Sequence, residues 1–389
     1  MKRTEEQFLA LLRSGLWGTE VDAALFRSDV DWNGIVILAR EQTVAPLVAD
    51  GMEQFLAQVR DEDAAAVCLP PAQVSLNLAQ LVLGTEAQNR KITALAACLS
   101  DRLRSEGILP LLVKGQGVAR VYRNPLRRQP GDIDFLLSPE GYQKAKKVLD
   151  PEGRSAAGES KVRMHYAIPI HGIEVELHGS IREGVDPAQD ALLASLCADL
   201  FRSEDSAAGP RRDWALPQGT ITLPPVSFDA LYLFLHFYLH FLFGGQGLRQ
   251  ICDWARYLYV CREEIDRPWL ETQVRQLGKT AGWQVFASLA VDVLGCPAEV
   301  VPLYDPRLHG KALRTLRCCF ITGNFGHKQE AARGKEGYLR RKVHSFLLSG
   351  GRTARAFAIL PKDSLRAFTH YTLSGMRRLV KRDGLSPEH

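Results

Sequence analysis

Residues 114–137 read KGQGVARVYRNPLRRQPGDIDFLL, and this stretch decides the fold. Just before it, Ile108-Leu109-Pro110-Leu111-Leu112-Val113 is a short apolar run after Gly107, which predicts a buried strand. Gly115 to Tyr122 predicts the start of a helix, and Asn124-Pro125 ends it. Ile133 to Leu137 predicts a second strand, with Asp132 and Asp134 at its start. A strand repeats every two residues, so both aspartates share one face while Ile133 and Phe135 turn into a core. Two adjacent carboxylates repel each other unless a cation offsets them. Mg²⁺ suits that task, because it takes one or two carboxylates, several waters and substrate phosphates. Gly131 lets backbone come close to the pair. Lys114-Gly115, between a strand and a helix, can offer amide groups and positive charge to phosphates. Arg127 and Arg128 could neutralise a triphosphate.

Downstream, Ser138-Pro139-Glu140 opens a helix that runs to about Leu149, with serine as cap and proline in the first turn. Arg163 to Ile170 and Ile173 to Leu177 read as two strands joined at His171-Gly172. In the second of these, Ile173, Val175 and Leu177 share one face, and Glu174, Glu176 and His178 share the other. Placed beside the Asp132/Asp134 strand, this strand brings a third carboxylate, Glu174 or Glu176, to the same site. Two-metal phosphoryl transfer needs such a set. Each element also has a plainer reading. A D-x-D pair is common in surface turns, and an alternating acidic strand is usually a solvated sheet face. It is their occurrence together that favours a metal site.

Outward from this core the chain reads as helices. Glu5 to Trp17 is amphipathic, and Asn33 to Met52 has a helical pattern that Pro46 kinks or splits. Pro70-Pro71 is a break, and Ala72 to Ser105 is one long helix or two. Asp186 to about Phe201 is helical, and Ser203 to Gly219 reads as a polar loop. Helices follow at about 227–243, 247–261, 265–277 and 279–294, then a polar loop over Asn324 to Gly337, then helical stretches near 339–349 and 364–380. The expected class is α+β: a small mixed sheet at 106–222, helical regions at 1–105 and 223–330, and a basic helical tail at 331–389.

Two further pairs are spaced i, i+4 on predicted helices. His236 and His240 could bind metal, but no HExxH pattern accompanies them and their neighbours are Phe, Leu and Tyr. Packed histidines are the simpler reading, with His240 able to face the cleft. Arg249 and Asp253 read as a helical ion pair. In a sharper reading, Asp253 orients or deprotonates an acceptor hydroxyl while Arg249 meets phosphate. The Gly244-Gly245-Gln246-Gly247 turn fits no phosphate-loop spacing.

Composition bounds these readings. With 389 residues, 46% hydrophobic and 24% charged, the chain is an ordinary globular one; collagen, disulfide miniproteins and wholly disordered chains are excluded. Eight cysteines without a CxxC motif predict free thiols in a reducing compartment. The charged start, Met1 to Glu6, lacks a following signal-type apolar core, so a cytoplasmic protein is expected. The longest apolar run, Ala230 to Phe243, is broken by His236 and His240 and falls short of the roughly 20 residues of a membrane span. Net charge is +5, yet residues 331–389 carry 13 Lys and Arg against 4 Asp and Glu, leaving the rest slightly acidic. The tail could be a solvated face, a cap over an anionic substrate, or a contact for RNA or an anionic membrane surface.

LLVKGQGVARVYRNPLRRQPGDIDFLL (111–137) resembles the LKG…Y…R…GDIDLLV block of the uncharacterised bacterial nucleotidyltransferase family, within the DNA polymerase β-like superfamily. EVELHGSI (174–181) and GLRQICDWARYL (247–258) resemble two later blocks of that family. The resemblance implies a polymerase β-like core and Mg²⁺-dependent transfer of a nucleoside monophosphate from an NTP to an acceptor hydroxyl or phosphate. It implies two Mg²⁺ ions, with Mn²⁺ as a substitute, on Asp132, Asp134 and Glu176. Lys114, Gly115, Gln116, Arg128 and Gly131 are implied at the nucleotide, and His178, His240, Arg249 and Asp253 at an acceptor site. The superfamily's usual Gly-Ser is Gly115-Gln116 here, and Glu176 replaces the usual third aspartate. A toxin-like enzyme modifying RNA or protein, or a catalytically silent scaffold of a biosynthetic cluster, are the alternatives.

Overall fold

The computed structural model describes residues 1–59, 67–160, 164–324 and 350–382. The expected loop over 324–337, apart from Asn324, and the expected helix at 339–349 lie outside the described residues, as does the basic group Arg340 to Lys342.

Three helices open the chain: α1 (Arg3–Trp17), α2 (Trp32–Glu41) and α3 (Ala45–Gln58). The helical pattern over 33–52, which Pro46 was expected to kink or split, is split into two helices. Thr43 takes a positive φ of 54° between them, and Pro46 sits in the first turn of α3, where its missing N–H costs nothing. α1 and α3 cross closely because Gly15 and Gly51 meet the carbonyls of Leu47 and Leu11; a Cβ on either glycine would overlap the opposite backbone. α4 (Ala72–Ser105) is a single helix of 34 residues.

The sheet comprises β1 (Leu111–Val113), β2 (Ile133–Leu136), β3 (His165–Ile170), β4 (Ile173–His178), β7 (Arg212–Leu216) and β8 (Gly219–Leu223). Its spatial order is β3-β4-β2-β1-β8-β7. β2 runs parallel to β4, and β1 runs parallel to β8; the other neighbours are antiparallel. β1 is shorter than the apolar run that predicted it. β3 and β4 form the expected hairpin, with His171 and Gly172 at positive φ in its turn.

The segment 203–219, expected as a loop, is a correction. It holds a small ribbon of β5 (Asp205–Ser206) and β6 (Gly209–Pro210), and then β7 at the sheet edge. β7 carries Arg212, Asp213 and Ala215 among Trp214 and Leu216, and none of the five is fully buried. An edge strand needs no apolar run, so composition hid it.

One sheet face packs Leu112, Ile133, Phe135, Val175, Leu177 and Ile221 against Ile92, Ala96 and Leu103 of α4 and Tyr142 of α6 (Pro139–Leu149). The short helix α5 (Gly115–Ala119) follows β1. On the other face, Leu111, Val113 and Leu136 meet Cys197 and Leu200 of α7 (Pro187–Arg202) and Phe228 and Tyr232 of α8 (Val226–Phe243). The acidic side chains of β2 and β4 lie on this second face.

Beyond α8 come α9 (Leu248–Val260), α10 (Arg267–Gln276), α11 (Thr280–Ser288) and α12 (His309–Thr322). The helix expected over 279–294 widens into a π turn at Leu289–Val293, where the Leu294 N–H reaches the Leu289 carbonyl. Helical residues 350–357 and α13 (Pro361–Arg382) follow. Phe8 of α1, Phe55 of α3, Trp254 of α9, Trp283 of α11 and Leu360 all belong to one apolar cluster. Among the described residues, α8 is the one helix long and apolar enough to cross a membrane, and it is mostly buried inside the protein. All eight cysteines are free.

Candidate active site

Parallel pairing of β2 with β4 sets Asp134 opposite Glu176. One ligand oxygen from each of Asp132, Asp134 and Glu176 lies within 4.8 Å of the others. Glu174 is exposed and outside this group, so Glu176 is the glutamate that the fold brings to the aspartates.

The electrostatics show what such crowding costs. Asp132 is pushed above the ordinary carboxylate range, first by Asp134 and then by burial. Asp134, 1% exposed, accepts from two side chains through a single oxygen: Lys114 Nζ is 2.7 Å and His178 Nε2 2.9 Å from Oδ1. Its Oδ2 is buried without a partner. A buried, unpartnered carboxylate oxygen beside two more carboxylates suits a hard divalent cation. Burial works against the charge on Lys114, yet Asp134, Tyr232, Asp132 and Glu176 outweigh it and hold the amine above its usual range. Burial likewise opposes ionisation of Glu176, but hydrogen bonds from His165 and His178 keep it well below the usual carboxylate range. His178 is raised, because its bonds to Asp134 and Glu176 overcome its burial.

The turn from β1 into α5 is strained. Lys114 and Gly115 have consecutive positive φ values of 57° and 39°. A Cβ on Gly115 would lie 3.3 Å from the Asp132 carbonyl. The close backbone approach thus belongs to Gly115. Gly131, expected to provide it, is exposed, and a Cβ there would make only an ordinary 3.7 Å contact with Arg249.

Several predicted nucleotide contacts are engaged elsewhere. The Gln116 amide donates to the Asn89 carbonyl, Asn89 Oδ1 and Thr93 Oγ1 of α4, each at 3.1 Å. Arg127 bonds Asp50, Glu53 and Glu86 of the N-terminal helices. Arg128 is buried and pairs bidentately with Asp253, through Nε and Nη2 at 2.8 Å each. The Tyr122 hydroxyl donates to the same carboxylate at 2.7 Å. The expected Arg249–Asp253 helical pair does not form, because Asp253 faces Arg128 instead. Arg249 donates to the carbonyls of Gln129 and Pro130 at 3.2 and 3.3 Å, while its Nε is buried without a partner. Asn89 donates to the carbonyls of Leu126 and Arg128. Residues 126–130, leading into the aspartates, are therefore gripped from α4 and α9.

On α8, the His236 and His240 rings lie 4.5 Å apart, edge to face. Burial and then the charge of Lys114 push both down, His240 to about 4, so both are neutral imidazoles at neutral pH. Neither belongs to a group of metal-ligand atoms among the described residues. His165, Tyr232 and Asn89 escaped the sequence reading, and Tyr122 entered it only as the tyrosine of the family block, without a role. The one available signal for His165 was its place in the predicted strand 163–170; Tyr232 and Asn89 stand alone in apolar or helical surroundings.

No curated protein and no solved structure matches the chain. Residues 28–295, which span both acidic strands and the Arg249/Asp253 helix, match the family described as uncharacterised nucleotidyltransferase. With well over half the chain matched and the carboxylates converging on one sheet face, the protein belongs to that uncharacterised nucleotidyltransferase family.

Proposed function

We propose that the chain transfers a nucleoside monophosphate from an NTP to an acceptor hydroxyl or phosphate and releases pyrophosphate. Family membership supports nucleotidyl transfer in general. One observation carries the finer reading: Asp132, Asp134 and Glu176 converge from two parallel strands, with Asp134 Oδ2 buried and unpartnered. These residues would hold Mg²⁺, as two ions, with Mn²⁺ as a substitute. When bound, the ions supply charge neutralisation at the triphosphate and activation of the attacking oxygen.

The chain's own groups do the rest. Lys114 exchanges Asp134 for the triphosphate, and the strained Gly115 backbone lets the chain approach it. His178 orients Asp134 and Glu176. Arg128, buried against Asp253, positions the loop before Asp132 rather than touching nucleotide. Arg249 and the neutral His240 face the acceptor side.

The purified chain incubated with Mg²⁺, each α-labelled NTP and cell extract tests this reading. Label is expected on an acceptor, and its chemical nature, small molecule, RNA or protein, names the substrate class. Asp134→Asn should lower transfer at least about 1,000-fold, about 4 kcal/mol of barrier. Because Asp134 also holds Lys114 and His178, Asp132→Asn serves as the companion variant and should act likewise. No label with any NTP leaves a silent scaffold as the better account, and variants as active as wild type would remove Asp132 and Asp134 from the catalytic site.

A further inference from the structure

A second set of ligand atoms adjoins the carboxylates. His165 opens β3 and pairs across the antiparallel register with His178 at the end of β4. Cross-strand partners project to the same face, so both imidazoles stand on the side that carries Glu176. His165 Nε2 is 3.1 Å and His178 Nε2 3.2 Å from the same oxygen, Glu176 Oε2. The ring centroids are 5.0 Å apart, and the three ligand atoms lie within 4.8 Å of one another. Opposite Glu176 on β3 is Ala167, a small side chain. All three ligands are partly buried and fixed by the sheet, with His165 the most exposed.

Two imidazoles and one carboxylate are a donor set for borderline ions such as Zn²⁺ or Co²⁺ rather than for Mg²⁺. We propose that His165, Glu176 and His178 form a second cation site that takes Zn²⁺-like ions and shares Glu176 with the carboxylate site. Only the identity of its neighbour rests on the nucleotidyl-transfer reading. Three protein ligands leave at least one position for water or substrate oxygen. An ion at His178 Nε2 replaces that atom's bonds to Asp134 and Glu176, so filling this site alters the hydrogen bonding of the first.

Co²⁺ added to the metal-free full-length chain tests the proposal, since its visible absorption distinguishes a nitrogen-bearing, low-coordinate site from an all-oxygen octahedral one. The expected result is an intense band saturating at one equivalent and displaced by Zn²⁺. His165→Gln should abolish the band and weaken Zn²⁺ binding about 100-fold or more, while an unchanged melting curve shows the fold retained. Asp132→Asn should keep the band. A band unaltered in His165→Gln, or only a weak octahedral spectrum in wild type, overturns the proposal and leaves the two histidines as hydrogen-bond partners of Glu176. Absence of nucleotidyl transfer with the Co²⁺ band present would remove the proposed reaction and not this site.

Discussion

Asp132 and Asp134 are held close together against their mutual repulsion, and the backbone of one neighbouring turn helps to hold them. Gly115, at φ 39°, lies against the Asp132 carbonyl. Gly115→Ala is expected to cost about 1–2 kcal/mol from the left-handed backbone alone. It should also weaken Mg²⁺ binding by moving Asp132. Urea denaturation and Mg²⁺ titration check both effects, and unchanged values for both would show the glycine to be incidental. A second residue gives a pH signature away from the site. Asp229, buried in the first turn of α8, is raised from 3.8 to about 6 by burial, although Arg212 and Tyr257 oppose the shift. The folded chain therefore holds this proton more tightly than the unfolded chain does. Its stabilising contribution is full below the unfolded value and is lost as pH rises through about 6. Asp229→Asn does not titrate, so its stability relative to wild type should rise by about 2 kcal/mol between pH 4 and 7. Urea melts of both proteins across this range test it; a constant difference would contradict the shift.

At the scale of elements, the site depends on how the loop before β2 is tied down. Arg128 on that loop and Asp253 on α9 are both buried and paired through two hydrogen bonds. Removing one partner strands a buried charge. Asp253→Ala should therefore destabilise by about 3–5 kcal/mol, whereas the double change Arg128→Met with Asp253→Leu should cost less than Asp253→Ala. A double-mutant cycle in urea measures this coupling, and additive losses would mean that the two residues act independently. The i, i+4 spacing of Arg249 and Asp253 was legible in the sequence, but their partners were not. Helical spacing places two side chains on one face; it does not say which other element that face meets.

Over the whole molecule, the first and last helices are one body with the same core. Ala356, Ile359, Leu360 and Ala367 are buried in the cluster that holds Phe8 and Phe55. Arg352 donates to the Gly244 carbonyl, and Arg366 pairs with Asp186. The described part of the basic tail is thus a docked segment as well as a charged one. Deleting residues 350–389 uncovers that core. The lost burial of Ile359 and Leu360, about 1.5–3 kcal/mol each, should lower the melting temperature by at least about 5 °C. An unchanged melting temperature would return the tail to a merely solvated face.

Local pattern alone determined the alternation that turns Asp134, Glu176 and His178 to one side of their strands, the cap at Ser138 and the helical character of 33–52 and 72–105. These follow from period, propensity and backbone sterics, which act between neighbours in sequence. The structure decided that Pro46 opens a separate helix and that α4 is unbroken. The edge strand β7 escaped because an edge carries no apolar signature. Tertiary structure decided the rest. It laid β4 parallel to β2 with Asp134 opposite Glu176, brought His165 to His178, and gave Asp253 to Arg128. Register between strands 40 residues apart, and the choice of partner for a buried charge, are set by which faces must be covered together, and that is a property of the packed chain.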